Sequence, residues 1–212
     1  MARSGEFLYL RTTIYGFIIL SFLSGCGQAR VSLPNGAVDI TSGGSVSRNV
    51  KSSELPFKST FTKRWNNSND GTRYEPCTAL DSSNLYVLGI DSSSVEDAAG
   101  TDGQTLRGCR WRYRMRDRNR WSIAQVVANS ESLENYKHKY STDYWHPDLL
   151  ISGRTVGVTE SRDLGECMTY VQSGHAGVST LVIRHGISGE KVGGVCDRAI
   201  AFTRATISMI PR

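Results

Sequence analysis

Five cysteines constrain this chain more than any other feature, because the first stands in a context unlike that of the other four. Cys26 ends the sequence Leu23-Ser24-Gly25-Cys26, directly after the apolar segment 12–23. This arrangement has the form of a bacterial lipobox, in which the cysteine becomes a lipidated amino terminus after cleavage. Loss of residues 1–25 and acylation of that thiol leave an even set that suits two disulfides, namely Cys77, Cys109, Cys167 and Cys196.

The amino-terminal segment follows the order of an export signal, with Arg3 and Arg11 before the apolar run. That run is about a dozen residues, short of the roughly 20 that a permanent membrane-spanning helix needs. An uncleaved membrane anchor is the alternative. We therefore predict a protein held on the extracytoplasmic side of the cell membrane by a diacyl, palmitate-type anchor on Cys26, since two acyl chains suffice for stable attachment.

Removal of residues 1–25 leaves 23 basic and 19 acidic residues, a net charge of +4. A mildly basic balance suits a surface near anionic headgroups but does not indicate a nucleic-acid partner, and none is predicted. Residues 27–54 are rich in Ser, Gly and Asn, and such a segment buries too little apolar surface to offset its ordering entropy. It is therefore predicted to be a flexible tether.

The predicted organisation is a signal peptide over 1–25, a lipidated cysteine and tether over 26–73, and a folded domain over 74–212. An apolar group near the end of the tether leaves a second possibility, an arm that lies on the domain. Its members are Leu55, Phe57, Phe61 and Trp65.

Beyond residue 74 the chain is dense in predicted elements. Residues 108–116 alternate strictly, with cysteine and aromatic side chains on one face and arginines on the other, as in a half-buried strand. The pattern predicts, in order, a helix capped by Asp81 and ended by Gly89, strands 108–116 and 121–128, a helix over 132–140, strands 155–159, 166–172 and 178–184, and a helix over 196–210. Hairpin-length connections favour an α+β fold, with a mostly antiparallel sheet of about five strands and helices on one face.

The four remaining cysteines fall into two local pairs. Three connectivities are possible, and we predict Cys77–Cys109 and Cys167–Cys196, each closing a loop of about thirty residues. The alternative is a zinc site of four thiolates. No pair has the C-x2–4-C spacing that structural zinc prefers, so no metal is predicted.

The order of short motifs resembles an actinobacterial membrane-anchored lipoprotein family catalogued as a domain of unknown function. The similar motifs are the lipobox, Glu75-Pro76-Cys77, Leu85-x-x-Leu88-Gly89, Gly108-Cys109-x-Trp111, Gly153-Arg154, Gly165-Glu166-Cys167, and Cys196 before a terminal helix. Family members often have Asp-Pro-Cys at two places, where this chain has Glu75-Pro76-Cys77 and Val195-Cys196-Asp197. The resemblance implies a membrane-anchored extracytoplasmic domain with paired cysteines, and it supplies no catalytic residues.

Catalytic signatures are missing from the sequence. It contains no H-E-x-x-H, no G-x-S-x-G, no phosphate-binding loop and no dinucleotide fingerprint. The histidines are scattered at positions 138, 146, 175 and 185. We therefore predict no catalytic residues, no cofactor and no enzymatic activity; an envelope enzyme is the weakest alternative.

Arginines are the sharpest candidates for function. The arginine ladder, as we call it, places side chains about 7 Å apart on one strand face and continues into the next turn. It comprises Arg110, Arg112, Arg114, Arg116, Arg118 and Arg120. Planar guanidinium groups bind phosphates and carboxylates. The alternative is a merely solvated sheet face, with acids such as Glu160 or Glu166 pairing across strands.

These features predict a non-catalytic binding or accessory module of a membrane complex. In that reading the protein touches the membrane through its diacyl anchor and binds a membrane protein. The second hypothesis is a receptor for an anionic envelope lipid or phosphorylated glycan, bound through the arginine ladder.

Overall fold

The computed structural model describes residues 55–114, 121–130, 132–161, 164–186 and 194–212. The predicted signal peptide, Cys26 and the tether up to residue 54 lie outside these ranges. Of the described helices, none has the length and apolar character needed to cross a bilayer.

Eight strands form one antiparallel sheet, rather than the five or so that the sequence predicted. The strands are β1 (Ile90–Asp97), β2 (Arg107–Tyr113), β3 (Trp121–Asn129), β4 (Tyr144–Trp145), β5 (Leu149–Ile151), β6 (Arg154–Ser161), β7 (Glu166–Ser173) and β8 (Ala176–Arg184). Their order across the sheet is β1-β2-β3-β8-β7-β6-β4, and β5 pairs with β6. The strands that the sequence missed are β1, which is rich in serine and acids, and β4 and β5, which are too short to show a period.

The described residues include three α-helices: α1 (Ser82–Val87), α2 (Leu133–Lys139) and α3 (Val195–Thr206). Asp81 caps α1 as predicted, because its side chain accepts a hydrogen bond from the backbone N–H of Asn84. A short 3-10 helix, Pro76–Thr78, precedes α1.

The main core lies between α3 and the face of the sheet that carries Trp111, Ile123 and Val182. We call this the covered face. Trp111 and Tyr113 are buried there, as the alternating pattern predicted. Trp111 packs against Phe202 of α3, with ring centroids 5.7 Å apart. The predicted disulfides, Cys77–Cys109 and Cys167–Cys196, are both formed, and their sulfurs belong to this face.

Helices occupy both faces of the sheet, contrary to the prediction of helices on one face. Tyr136 of α2 stacks on Tyr170 with centroids 4.5 Å apart, and Tyr170 points away from α3. A Cβ on Gly157, the partner of Tyr170 in the sheet, would lie 2.5 Å from Leu133 Cδ1, so glycine permits this close approach. None of the residues of α2 is fully buried, so its sequence shows no apolar stripe from which the face of the sheet that it covers could be predicted.

Residues 55–73 contribute to the folded unit, so the predicted boundary at residue 74 falls inside packed structure. Leu55 and Phe57 pack against the main core. Arg64 and Asn69 are buried, and the guanidinium group of Arg107 in β2 lies 3.5 Å above the centroid of the Trp65 ring. These contacts support the second possibility, an arm on the domain.

Candidate functional site

Part of the sheet, on the face opposite α3, has none of the described helices packed over it. There α2 packs on β6 and β7 and reaches Ser179 of β8, while neighbouring side chains of β2, β3 and the other end of β8 face solvent together. We call this surface the open patch and define it by cross-strand register: Arg110, Arg112, Ser122, Ala124, Leu181 and Ile183. With Glu96 and His185 at its rim, the open patch surrounds a depression of about 260 Å³.

The arginines of the open patch share one acid. Glu96 of β1 lies opposite Arg110 in the sheet, and its Oε2 is 2.9 Å from Arg110 Nε and 2.5 Å from Arg110 Nη2. Its Oε1 is 3.3 Å from Arg112 Nη2. All three side chains are largely exposed, at 61%, 55% and 43% for Arg110, Arg112 and Glu96. These three side chains together carry a net charge of +1, and Asp91 of β1 lies opposite Arg112 in the strand register.

Three arginines of the ladder, Arg110, Arg112 and Arg114, lie among the described residues. Arg110 and Arg112 project from the strand as expected, but β2 ends at Tyr113 and the Arg114 guanidinium lies 3.9 Å above the ring of Tyr86. Arg116, Arg118 and Arg120 lie outside the described residues. Among the described arginines of the ladder, Arg110 and Arg112 pair with Glu96 rather than with the predicted Glu160 or Glu166. An acidic strand end close before an arginine-rich strand was the available signal, since opposite charges favour neighbouring positions in a sheet.

A serine and a histidine meet at the rim of the open patch. Ser122 Oγ lies 3.1 Å from His185 Nε2. Burial raises the pKa of Glu166, and the nearby His185 partly offsets this effect. Among the described residues no hydrogen bond joins His185 to Glu166, so the carboxylate does not orient the imidazole as a catalytic triad requires. Ser122 and His185 thus supply polar groups at the rim of the open patch.

A second depression, of about 390 Å³, lies between α1, the end of β2 and α3. Its walls include Leu88, Ile90 and Phe202, and Asp197 and Arg198 supply its charges. The Arg198 guanidinium stacks on Tyr113 at 4.8 Å from the ring centroid. With one acid beside one base, this groove has no net charge that would select a ligand.

A buried charge cluster ties the arm to the sheet. Glu75 Oε2 lies 2.8 Å from Arg64 Nη1 and 3.4 Å from Arg107 Nη1. Arg64 Nε also lies 3.0 Å from Asp97. Arg107 is 0% exposed and donates to the backbone carbonyls of Asn69, Thr72 and Tyr74. The cluster is structural.

The pKa values within this cluster follow from burial and pairing. Burial lowers the pKa of Arg107 to about 10, and Glu75 opposes that effect. Burial also acts to lower the pKa of Arg64, but hydrogen bonds and charges from Glu75 and Asp97 outweigh it and raise the pKa. In both arginines the carboxylates oppose the effect of burial on the pKa of the guanidinium group.

One further group of polar side chains converges near the second disulfide. His146 Nε2 lies 3.2 Å from Glu160 Oε2, and one ligand atom each of His146, Glu160 and Cys196 fall within 4.8 Å of one another. The sulfur of Cys196 is bonded to Cys167, so it is not a free thiolate ligand. A histidine and a carboxylate alone do not fill a metal's coordination sphere.

The motifs that carried the family resemblance occupy structural positions. Glu75 holds the buried charge cluster, and the cysteines form disulfides. The Arg154 guanidinium donates to the backbone carbonyls of Ile207, Ile210 and Pro211, which fastens the segment after α3 to β6.

Fold and site together define a small α+β domain, linked by two disulfides, whose sheet leaves a charged patch uncovered. The chain belongs to DUF3558, a protein family of unknown function, whose model matches residues 21–209. No curated protein and no solved structure matches it.

Proposed function

We propose that this protein is a lipid-anchored, extracytoplasmic accessory module of a membrane complex and that it binds its partner through the open patch. The observation that carries the proposal is the uncovered part of the sheet, where exposed guanidinium groups border half-buried Leu181 and Ile183. Exposed arginine beside apolar surface is typical of protein interfaces. The proposed role is non-catalytic.

The anchoring half of the proposal rests mainly on sequence. Leu23-Ser24-Gly25-Cys26 ends an apolar segment too short to span a bilayer, and the family match includes Cys26. Two disulfides agree with an oxidising compartment outside the cytoplasm. The test is mass spectrometry of the native amino terminus: a diacylated Cys26 is expected, and an unmodified Met1 would refute the anchor.

The binding half is tested by isolating the complex in mild detergent. In the Arg110→Ser/Arg112→Ser variant we expect loss of a stoichiometric membrane partner. The matched control is Arg73→Ser/Arg204→Ser, which removes the same charge from exposed positions elsewhere. Equal recovery of the partner by both variants, or a wild-type protein that purifies alone, would contradict the proposal.

A receptor for an anionic envelope lipid or phosphorylated glycan is the second candidate. The net charge of +1 on Arg110, Arg112 and Glu96 favours it, since guanidinium groups bind phosphates. Flotation with phosphatidylglycerol vesicles tests this candidate. It predicts salt-sensitive binding that the Arg110→Ser/Arg112→Ser variant loses; the same binding by wild type and variant would exclude it.

A further inference from the structure

The open patch contains its own carboxylate, Glu96, which contacts Arg110 more closely than Arg112. Glu96 engages Arg110 through two nitrogens of one guanidinium group, at 2.9 and 2.5 Å. It reaches Arg112 through one nitrogen at 3.3 Å. Arg112 lies opposite Asp91 in the strand register, and its side chain remains 55% exposed, so a carboxylate arriving from outside can reach the same two guanidinium groups.

The backbone fixes where Glu96 stands. The register of β1 against β2 shifts between Asp91 and Glu96, and the shift sets Glu96 directly opposite Arg110. Ser94, within the irregular stretch, accepts a hydrogen bond from the backbone N–H of Arg112. The acid is thus held beside the arginines by strand pairing as well as by charge.

The floor of the open patch is apolar. Ala124, Leu181 and Ile183 are only partly buried, and covering them removes apolar area from water. A phospholipid headgroup has no apolar group to place there. A second copy of this chain would bring its own arginines against Arg110 and Arg112, which costs free energy.

We propose that the partner presents a carboxylate next to a large apolar side chain, and that Glu96 occupies the place of that carboxylate in the free protein. This inference rests on the proposed function and names the chemistry of the partner segment. The apolar side chain fills the depression above Leu181 and Ile183, while the carboxylate binds Arg112 and competes with Glu96 for Arg110.

The test uses the full-length protein in detergent and a random peptide library displayed on phage. Selection is expected to return peptides with Asp or Glu beside Leu, Ile, Phe or Trp. Glu96→Gln removes the competing carboxylate and should therefore bind a selected peptide more tightly. Because an exposed ion pair contributes little free energy, the gain in affinity should be at most about fivefold. Arg112→Ser should bind it about tenfold or more weakly. Thermal melting of both variants checks that they fold.

A second measurement uses a peptide in which the acidic side chain is replaced by the corresponding amide. The amide peptide should bind weakly and should no longer distinguish wild type from Glu96→Gln. Unchanged or weaker binding by Glu96→Gln, or selected peptides without acids, would overturn the inference. If the Arg110→Ser/Arg112→Ser variant still loses the membrane partner in that case, the proposed function stands and only the role of Glu96 falls.

Discussion

Replacing Glu75 with glutamine should destabilise the domain strongly. The change keeps the shape of the side chain but removes the charge that faces Arg64 at 2.8 Å and Arg107 at 3.4 Å. Asp97 still contacts Arg64 after the change, whereas the remaining described partners of Arg107 are neutral carbonyls, the ring of Trp65 and the more distant charge of Asp70. Breaking a buried ion pair by removing one partner costs about 3–5 kcal/mol, because it leaves an uncompensated charge away from water.

Thermal unfolding followed by circular dichroism measures this effect. In a domain of this size, 1 kcal/mol shifts Tm by about 2–4 °C, so Glu75→Gln should lower Tm by about 6–20 °C. Glu96→Gln is the matched control: the same chemical change at an exposed ion pair should cost at most about 1 kcal/mol. If the two variants melt within about 3 °C of each other, the buried cluster does not stabilise the fold as described.

Three other perturbations follow from the packing. A Cβ on Gly177 would lie 2.2 Å from the Tyr170 ring, so Gly177→Ala should lower the free energy of unfolding in urea by about 1–3 kcal/mol. In the control Gly100→Ala, the new Cβ meets only the end of a flexible side chain, so the urea midpoint should not change. Burial raises the pKa of Tyr113 from 10.0 to about 12. The contribution of the neutral phenol to the free energy of unfolding is therefore complete below pH 10.0 and is lost as the pH rises toward 12. Tyr113→Phe should lose less stability than the wild type over this pH range. Replacing both cysteines of Cys167–Cys196, which are 29 residues apart, should cost about 3–4 kcal/mol, and an unchanged denaturation midpoint would contradict this.

Where burial alternates along a strand, the sequence predicted the fold well. β2 and β3 begin and end within a few residues of the predicted strands, because cysteine, tryptophan and tyrosine alternate with arginine and small residues. Local pairing of cysteines gave both disulfides, since each bond joins neighbouring parts of the chain.

The misses have a common physical cause, namely contacts between residues that are distant in sequence. β1 is a strand because its backbone pairs with β2, although its side chains do not alternate. Arg107 opens an arginine-rich strand after a polar loop, so its sequence context suggests exposure. Its burial depends on Glu75, the ring of Trp65 and three carbonyls that are distant in sequence. The open patch depends on where α2 lies, which the pattern of α2 does not specify.

Each disulfide joins cysteines that are consecutive among the described ones, and neither bond links the β1–β3 part of the sheet to the β6–β8 part. A chain that meets an oxidant from its amino-terminal side would therefore form Cys77–Cys109 before Cys167 arrives. The correct pairs then arise from the order of emergence alone, without an isomerase to reshuffle wrong ones. Reduction of one bond leaves the other intact, since Cys77–Cys109 ties the 3-10 helix to β2 and Cys167–Cys196 ties α3 to β7.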